Sequence, residues 1–308
     1  MAGARLLVEP PTFDLRKFGL LSVVQDRSTA ADQHWQNGVT WQDLCGMAGT
    51  TYSGCLSAGT VTTTGGAKSS NVHRSTFGAT PFAVVAELDC SPVGYSDQER
   101  QADAAAALTR NEAFQVEGAF WTGRAGGDAG IVFPHLASAE AVVDPNITIM
   151  SVTLQCAAST VSGSVVLDVV EGLQRLEYQM AQCYSGQLTL HVPSVLGEAL
   201  IQWGVIAPQG EQMLTKTGHL VALGGGYPGT SPSGVATPNV AWVYATGPVF
   251  MYRGAPETFR FYQMLDRTNN TLKAIVERPY VLGYSCCCLG AVPLALGGDI
   301  TGQPLSPN

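Results

Sequence analysis

The amino-acid sequence predicts an α+β chain organised around one long helix, and three observations carry that expectation. Residues 96–121 form a proline-free, alanine-rich run behind a strong capping signal. Residues 164–203 read helix, strand, helix in short order, the pattern of a compact α/β unit with a small central sheet. From His219 onward the chain is strand and turn. A chain of 308 residues buries roughly three quarters of its unfolded surface, enough for two cores or for one core with long extensions.

Taken in order, residues 1–47 show no sustained hydrophobic period. Residues 20–24 read as a short strand, and Trp35 and Trp41 punctuate polar sequence. Such a stretch is expected to be an extended arm that takes its order from a partner surface. Residues 50–80 are rich in Gly, Ser and Thr, and the Val and Thr residues between glycine turns suit a long two-stranded polar ribbon. It has little to bury, and an isolated ribbon is marginal in water, so it too is expected to lean on a neighbour. Residues 82–88 are a better strand and feed the long helix. There Ser96 is the N-cap, Glu99 completes a capping box, and Asp97 and Glu99 place negative charge in the first turn. The helix runs roughly 33–36 Å at about 1.5 Å per residue. Ala104 to Ala107 let a neighbour approach closely, and Gly118 and the glycines from Gly123 to Gly130 end it.

Residues 164–183 are a second helix, with Val166, Val169, Val170, Leu173, Leu176 and Met180 in an apolar stripe. Leu188, Leu190 and Val192 alternate along a strand, and Pro193-Ser194 open a third helix that Gly204 closes. The strands expected after His219 cover residues 220–223, 240–244, 248–252, 258–265, 271–279 and 285–296.

Charged residues are 13% of the chain, against about 25% in an ordinary soluble protein, so much of its surface is expected to lie against other subunits. A net charge of -8, with only Lys17, Lys68, Lys216 and Lys273 as lysines, excludes a tight grip on nucleic acid. None of the eight cysteines forms a C-x-x-C pair and no histidine falls at zinc-finger spacing, so neither a metal nor any other cofactor is expected. The amino terminus has no apolar signal core, which with free buried thiols reads as cytoplasmic. The longest apolar run, residues 280–296, is broken by Gly283, Gly290 and Pro293 and reads as strands, not a membrane span.

Nor does the chain carry an ordinary active site. His34, His73, His135, His191 and His219 are scattered, and no G-x-S-x-G elbow is present. The loop from Gly224 to Gly229 lacks the Lys-Ser/Thr ending of a phosphate loop and reads as a tight turn. Cys286, Cys287 and Cys288 cannot all face one side of a strand and read as small hydrophobes. The expectation is a protein that is not an enzyme.

The ordered series of elements resembles the major capsid proteins of tailed bacteriophages, with the Hong Kong 97 (HK-97-like) fold. Three stretches carry the resemblance: residues 82–121; residues 165–229, with "HVPSVLGEALIQWG" and "GGGYPG"; and residues 242–296, with "YATGPVFMYRG" and "DRTNNTLKAIVERPY". It implies an N-terminal arm (1–47), an extended β-hairpin loop (48–81) and a peripheral domain with its strand and spine helix (82–122). An axial α/β domain (123–254), peripheral return strands (255–283) and a terminal axial strand with a tail (284–308) follow. It further implies homopentamers and homohexamers closing into an icosahedral head around double-stranded DNA, held without sequence-specific contacts and without a membrane. The location implied is the virion, assembled in the bacterial host cytoplasm. Scaffold, portal and decoration proteins are the implied partners, the short arm favouring a separate scaffold or none.

The same resemblance implies one covalent step, an isopeptide bond between Lys68 of the loop and Asn270 of another subunit, with Glu277 assisting. Chemically, the lysine must be neutral to attack and the glutamate can take its proton. Asn269-Asn270 also read as an ordinary turn, and Glu277-Arg278 as an ion pair. Two other readings stand beside the capsid. An encapsulin-type nanocompartment shell shares the fold, and a soluble Cys/His enzyme would predict a small oligomer with a thiol-reactive site.

Overall fold

The computed structural model describes residues 13–14, 17–28, 33–45, 73–90, 96–128, 130–137, 149–151, 169–181, 184–259, 265–266, 271–285 and 289–296. The strands in chain order are β1 (Gln25–Asp26), β2 (Val39–Cys45), β3 (His73–Ala79), β4 (Pro81–Cys90), β5 (Ile149–Ser151), β6 (Thr189–Pro193), β7 (Ile206–Gln209), β8 (Gln212–Thr215), β9 (Leu220–Gly224), β10 (Val240–Thr246), β11 (Val249–Arg253), β12 (Glu257–Phe259), β13 (Leu265–Asp266), β14 (Thr271–Tyr284) and β15 (Leu289–Ala295). The α-helices are α1 (Asp97–Thr122), α2 (Val169–Ala181) and α3 (Gly197–Gln202).

Helix α1 begins as its sequence dictates. The Ser96 hydroxyl accepts the Glu99 N–H at 3.2 Å, and the Ser96 N–H donates to the Glu99 carboxylate at 2.8 Å. The helix runs 26 residues, about 39 Å, and stops at Gly123, whose φ of 70° suits a residue without a side chain. Arg100, Ala104, Leu108, Glu112, Val116 and Phe120 fall at every fourth position and are buried.

Two sheets flank this helix. In the first, β14 is the central strand: β4 fills one edge, and β13, β12 and β11 follow one another along the other, all antiparallel. β1 adds to β11 in parallel. The second sheet has the order β5-β15-β10-β6-β9-β8-β7. One of its faces, with Ala222, Trp242, Tyr244, Leu289 and Ala291, joins α1 and the first sheet in one core. Its other face, with Leu190, Val192, Val243, Ala245 and Val292, packs on Val169, Leu173, Leu176 and Met180 of α2 in a second core. A Cβ at Gly290 of β15 would stand 2.7 Å from Leu176 Cδ1, so the glycine lets α2 lie close on the sheet.

Several expectations need correction. Residues 20–22 form a 3-10 turn, not a strand, because Leu20 is swallowed whole against α1. The arm does not wait for a partner over residues 17–28 and 33–45. It docks on its own chain, where Trp35 stacks on Tyr252 at 6.0 Å and Arg27 N–H donates to Met251 O at 2.8 Å. The ribbon begins earlier than expected, with β2 pairing antiparallel to β3. Its base is packed on the subunit: Phe77 joins the core under α1, Ala79 clusters with Trp35 and Val281, and Trp41 meets Phe250 edge-on at 5.0 Å. The third helix divides into a 3-10 turn (Ser194–Leu196) and α3, and an unforeseen hairpin, β7–β8, turns at Gly210 with φ of 64°. The middle of the ribbon, residues 46–72, lies outside the described residues.

Candidate functional site

Of the three residues nominated for covalent chemistry, Glu277 lies among the described residues; Lys68, Asn270 and the cysteine run 286–288 do not. Glu277 sits mid-strand in β14, paired with Val85 of β4 on one side and Glu257 of β12 on the other. Successive residues of a strand face opposite ways. Ala274, Val276 and Tyr280 are buried against α1, so Glu277 faces outward, beside Val85, which is 48% exposed. On that outer face Lys273 Nζ lies 3.4 Å from Glu87 and 3.8 Å from Asp89. Arg278 points the other way. Its ion pair is made with Glu112 of α1, and this corrects the reading of Glu277-Arg278 as a pair.

The inner face carries a buried polar cluster. Glu112 receives Arg278 Nη1 and the Tyr280 hydroxyl, the latter at 3.1 Å. Burial, and then the Glu112 charge, push the Tyr280 phenol up to about 12. Arg253 stands 3.9 Å from Glu112 and 3.4 Å from Asp26 of β1, and its N–H donates to Ser28 Oγ at 2.6 Å. Five residues further along α1, Glu117 Oε1 accepts the Leu20 N–H at 3.0 Å and Oε2 the Gly226 N–H at 2.9 Å. The loop from Gly224 to Gly229 thus turns a backbone donor towards a protein carboxylate.

His191 of β6 is sealed between the second sheet and α1. Its Nε2 lies 3.0 Å from Thr246 Oγ1 and its Nδ1 3.1 Å from the Tyr227 oxygen. Thr246 spends its proton on Gly247 O at 2.8 Å, so its oxygen accepts from Nε2–H, and Nδ1 accepts from the Tyr227 hydroxyl. Burial lowers the imidazole to about 3, so the ring is neutral. Phe120 packs on it at 5.5 Å. An imidazole with both nitrogens engaged and no solvent joins two layers and has no access to a substrate. Nothing in the spacing of the five histidines marked this one.

Between β4 and the end of α1 runs an open groove of about 450 Å³, lined by Phe82, Val84, Phe114, Gly118, Arg124 and Pro228. Among the described residues no group of three or more His, Cys, Asp or Glu is placed to hold a metal, and no helix is long and apolar enough to cross a membrane.

No protein-family model matches the chain, and no curated protein matches it. Solved structures do, over nearly its whole length. The capsid of an empty GTA particle matches with a TM-score of 0.53 at 12% identity, covering 95% of this chain and 95% of that one. A chain of Microbacterium phage Oxtober96 gives 0.51 at 9% identity, covering 98% and 94%, and one of Mycobacterium phage Ogopogo 0.50 at 13%, covering 95% and 97%. The mixed α+β fold described above is therefore shared with the GTA capsid and with these phage chains, in line with the resemblance.

Proposed function

We propose that this chain is the major capsid protein of a tailed bacteriophage, a structural subunit that assembles as pentamers and hexamers into an icosahedral head around double-stranded DNA. The observation that carries the reading is the fold shared with the GTA capsid over 95% of both chains. Surface chemistry supports it. Phe114, Tyr178, Val195 and Trp203 are 56%, 66%, 64% and 50% exposed in a chain with few charges, a surface suited to contact with further copies. On this reading the sheet centred on β14, with α1, is the peripheral domain, and the seven-stranded sheet with α2 is the axial domain. Acidic charge leaves packaged DNA free to slide, and no catalytic activity is expected. The virion is its location, after assembly in the host cytoplasm, and scaffold, portal and decoration proteins are its candidate partners.

The isopeptide bond is the finer part of the proposal: the Lys68 amine attacks the Asn270 side-chain carbonyl carbon, the bond to the amide nitrogen breaks, and that nitrogen takes the proton and leaves as ammonia. The outward placement of Glu277 on β14 supports the bond, since the residue that takes the Lys68 proton must be open to another subunit's loop. Boiled, reduced particles are then expected to run as a covalent ladder that Lys68→Arg collapses to one band. A single band from mature wild-type particles removes the bond from the reading and leaves the shell standing.

The shell itself is tested by size-exclusion chromatography of the purified protein with negative-stain imaging of the leading peak. Hollow icosahedral particles, or rings of five and six, are expected. A stable monomer of 32.3 kDa that never assembles overturns the proposal. Particles filled with protein in place of nucleic acid redirect it to the encapsulin-type compartment.

A further inference from the structure

Near the end of α1 the helix becomes buried on several sides, with Val116, Glu117, Ala119, Phe120 and Trp121 all enclosed. Glu117 is the charged member of that group, and two distant backbone amides meet on its carboxylate. Leu20 lies 97 residues before it and Gly226 109 residues after, and each gives its N–H to a different oxygen. Both approaches depend on a missing side chain. A Cβ at Gly19 would stand 2.6 Å from Glu117 Oε1, and one at Gly226 would stand 2.1 Å from the Phe114 carbonyl oxygen and 3.0 Å from Glu117 Cβ.

The same turn is gripped from the other side. Leu223 N–H donates to Phe18 O at 2.7 Å, and Phe18 holds a φ of 66°, a left-handed conformation that a bulky residue adopts only under constraint. Downstream, Gln25 and Asp26 pair with Phe250 and Met251, and Asp26 meets Arg253. The segment is thus tied at both ends to its own subunit.

We infer that Glu117 is a latch. Through one carboxylate it locks the turn around Leu20 and the glycine-rich loop onto α1, so that the arm is anchored in cis and leaves the subunit from a fixed point. A carboxylate suits the task because both of its oxygens accept, and charge-assisted bonds hold more strongly than neutral ones. A glutamine has one accepting oxygen and leaves the second buried amide unsatisfied. The consequence for assembly rests on the capsid reading: every copy presents its arm in the same register to its neighbours.

The test compares full-length wild type, Glu117→Gln and Val116→Ala by hydrogen exchange and by limited trypsin cleavage after Lys17. Val116 is equally buried, but its side chain holds no amide. In Glu117→Gln, peptides covering residues 17–24 and 224–229 are expected to exchange at least tenfold faster, with faster cleavage at Lys17, while β6 and β10 exchange at the wild-type rate. Val116→Ala is expected to loosen the core without releasing the arm selectively. Wild-type exchange of the arm in Glu117→Gln, or loosening in step with the rest of the chain, overturns the latch. Gly19→Ala keeps the carboxylate but crowds Oε1, and it serves as the independent variant should Glu117→Gln fail to fold. Selective release is again expected, and its absence overturns the inference. Imaging separates the two levels. Normal, uniform Glu117→Gln particles overturn the assembly consequence alone. A wild type that forms no particles overturns the capsid reading, while hydrogen exchange still decides the latch.

Discussion

Glu112 of α1 and Arg278 of β14, 166 residues apart, form an ion pair whose side chains are only 5% and 16% exposed. The pair fixes helix to sheet at one register, and the Tyr280 hydroxyl adds a third group to the same carboxylate. Removing Arg278 leaves the buried Glu112 charge with the Tyr280 hydroxyl and the more distant Arg253 alone. Arg278→Met is therefore expected to destabilise the subunit by about 3–5 kcal/mol, and Arg278→Met with Glu112→Gln by less than Arg278→Met alone. Urea unfolding of the wild type and the two variants measures both.

Acid should act through His191. Its ring is neutral and sealed in the folded chain, with a pKa lowered to about 3, while an exposed histidine titrates near 6.5. A group depressed on folding contributes stability that is complete above the unfolded pKa and lost as pH falls towards the folded one. Stability is expected to decline between about pH 6.5 and 3, and His191→Gln should flatten that decline. Unfolding midpoints at pH 7, 5.5 and 4 would show it. Equal slopes in the two proteins would remove His191 from the account.

Ser96→Ala should cost about 1 kcal/mol, since it removes the side chain that caps α1. The Ser96 backbone and hydroxyl both donate to Glu99 and hold its carboxyl below the usual range. The capping contribution is therefore present above the ordinary carboxylate range and fades as pH falls through the lowered value. The gap between wild type and variant in thermal unfolding should narrow at the acid end.

The contact of Gly290 with α2 predicts a coupled pair. Gly290→Ala drives a methyl into Leu176 and Met180 and should cost about 1–3 kcal/mol as overpacking. Leu176→Ala leaves a cavity and should cost about 2–5 kcal/mol. Because one change makes room for the other, the double variant should fall short of the sum. Chemical denaturation of the full cycle checks it; strict additivity would mean that α2 does not press on β15.

Much of the fold was legible because its signals are local. The capping box at Ser96 and Glu99 and the stripe of Val169, Leu173, Leu176 and Met180 each depend on residues within a few turns, and each was found where expected; the helix end was read less well, since Gly118, expected to stop the helix, lies inside it and Gly123 ends it. Most strand positions after His219 were legible for the same reason, but the single strand expected over residues 258–265 meets two, β12 and β13, each pairing with β14 by itself. The turn at Leu20 was misread because apolar residues in so short a run fit a strand or a buried turn equally well. The base of the ribbon was misread because Trp41 and Phe77 look isolated until the fold sets Trp41 against both Phe77 and Phe250.

What the sequence by itself determined is most of the helices and strands, their order, and the poverty of charge that points to a surface meant to be covered. What only the tertiary structure decided is where the polar groups go. Glu112 and Glu117 sit in a helix that reads as mostly polar, and His191 in a strand marked by its leucines, so all three pass for ordinary residues of their elements. Their partners, Arg278, Tyr280, Leu20, Gly226, Tyr227 and Thr246, come from 36 to 168 residues away. Burying a polar group is tolerable only when such partners arrive, and a local pattern holds no record of partners that chain folding alone brings together.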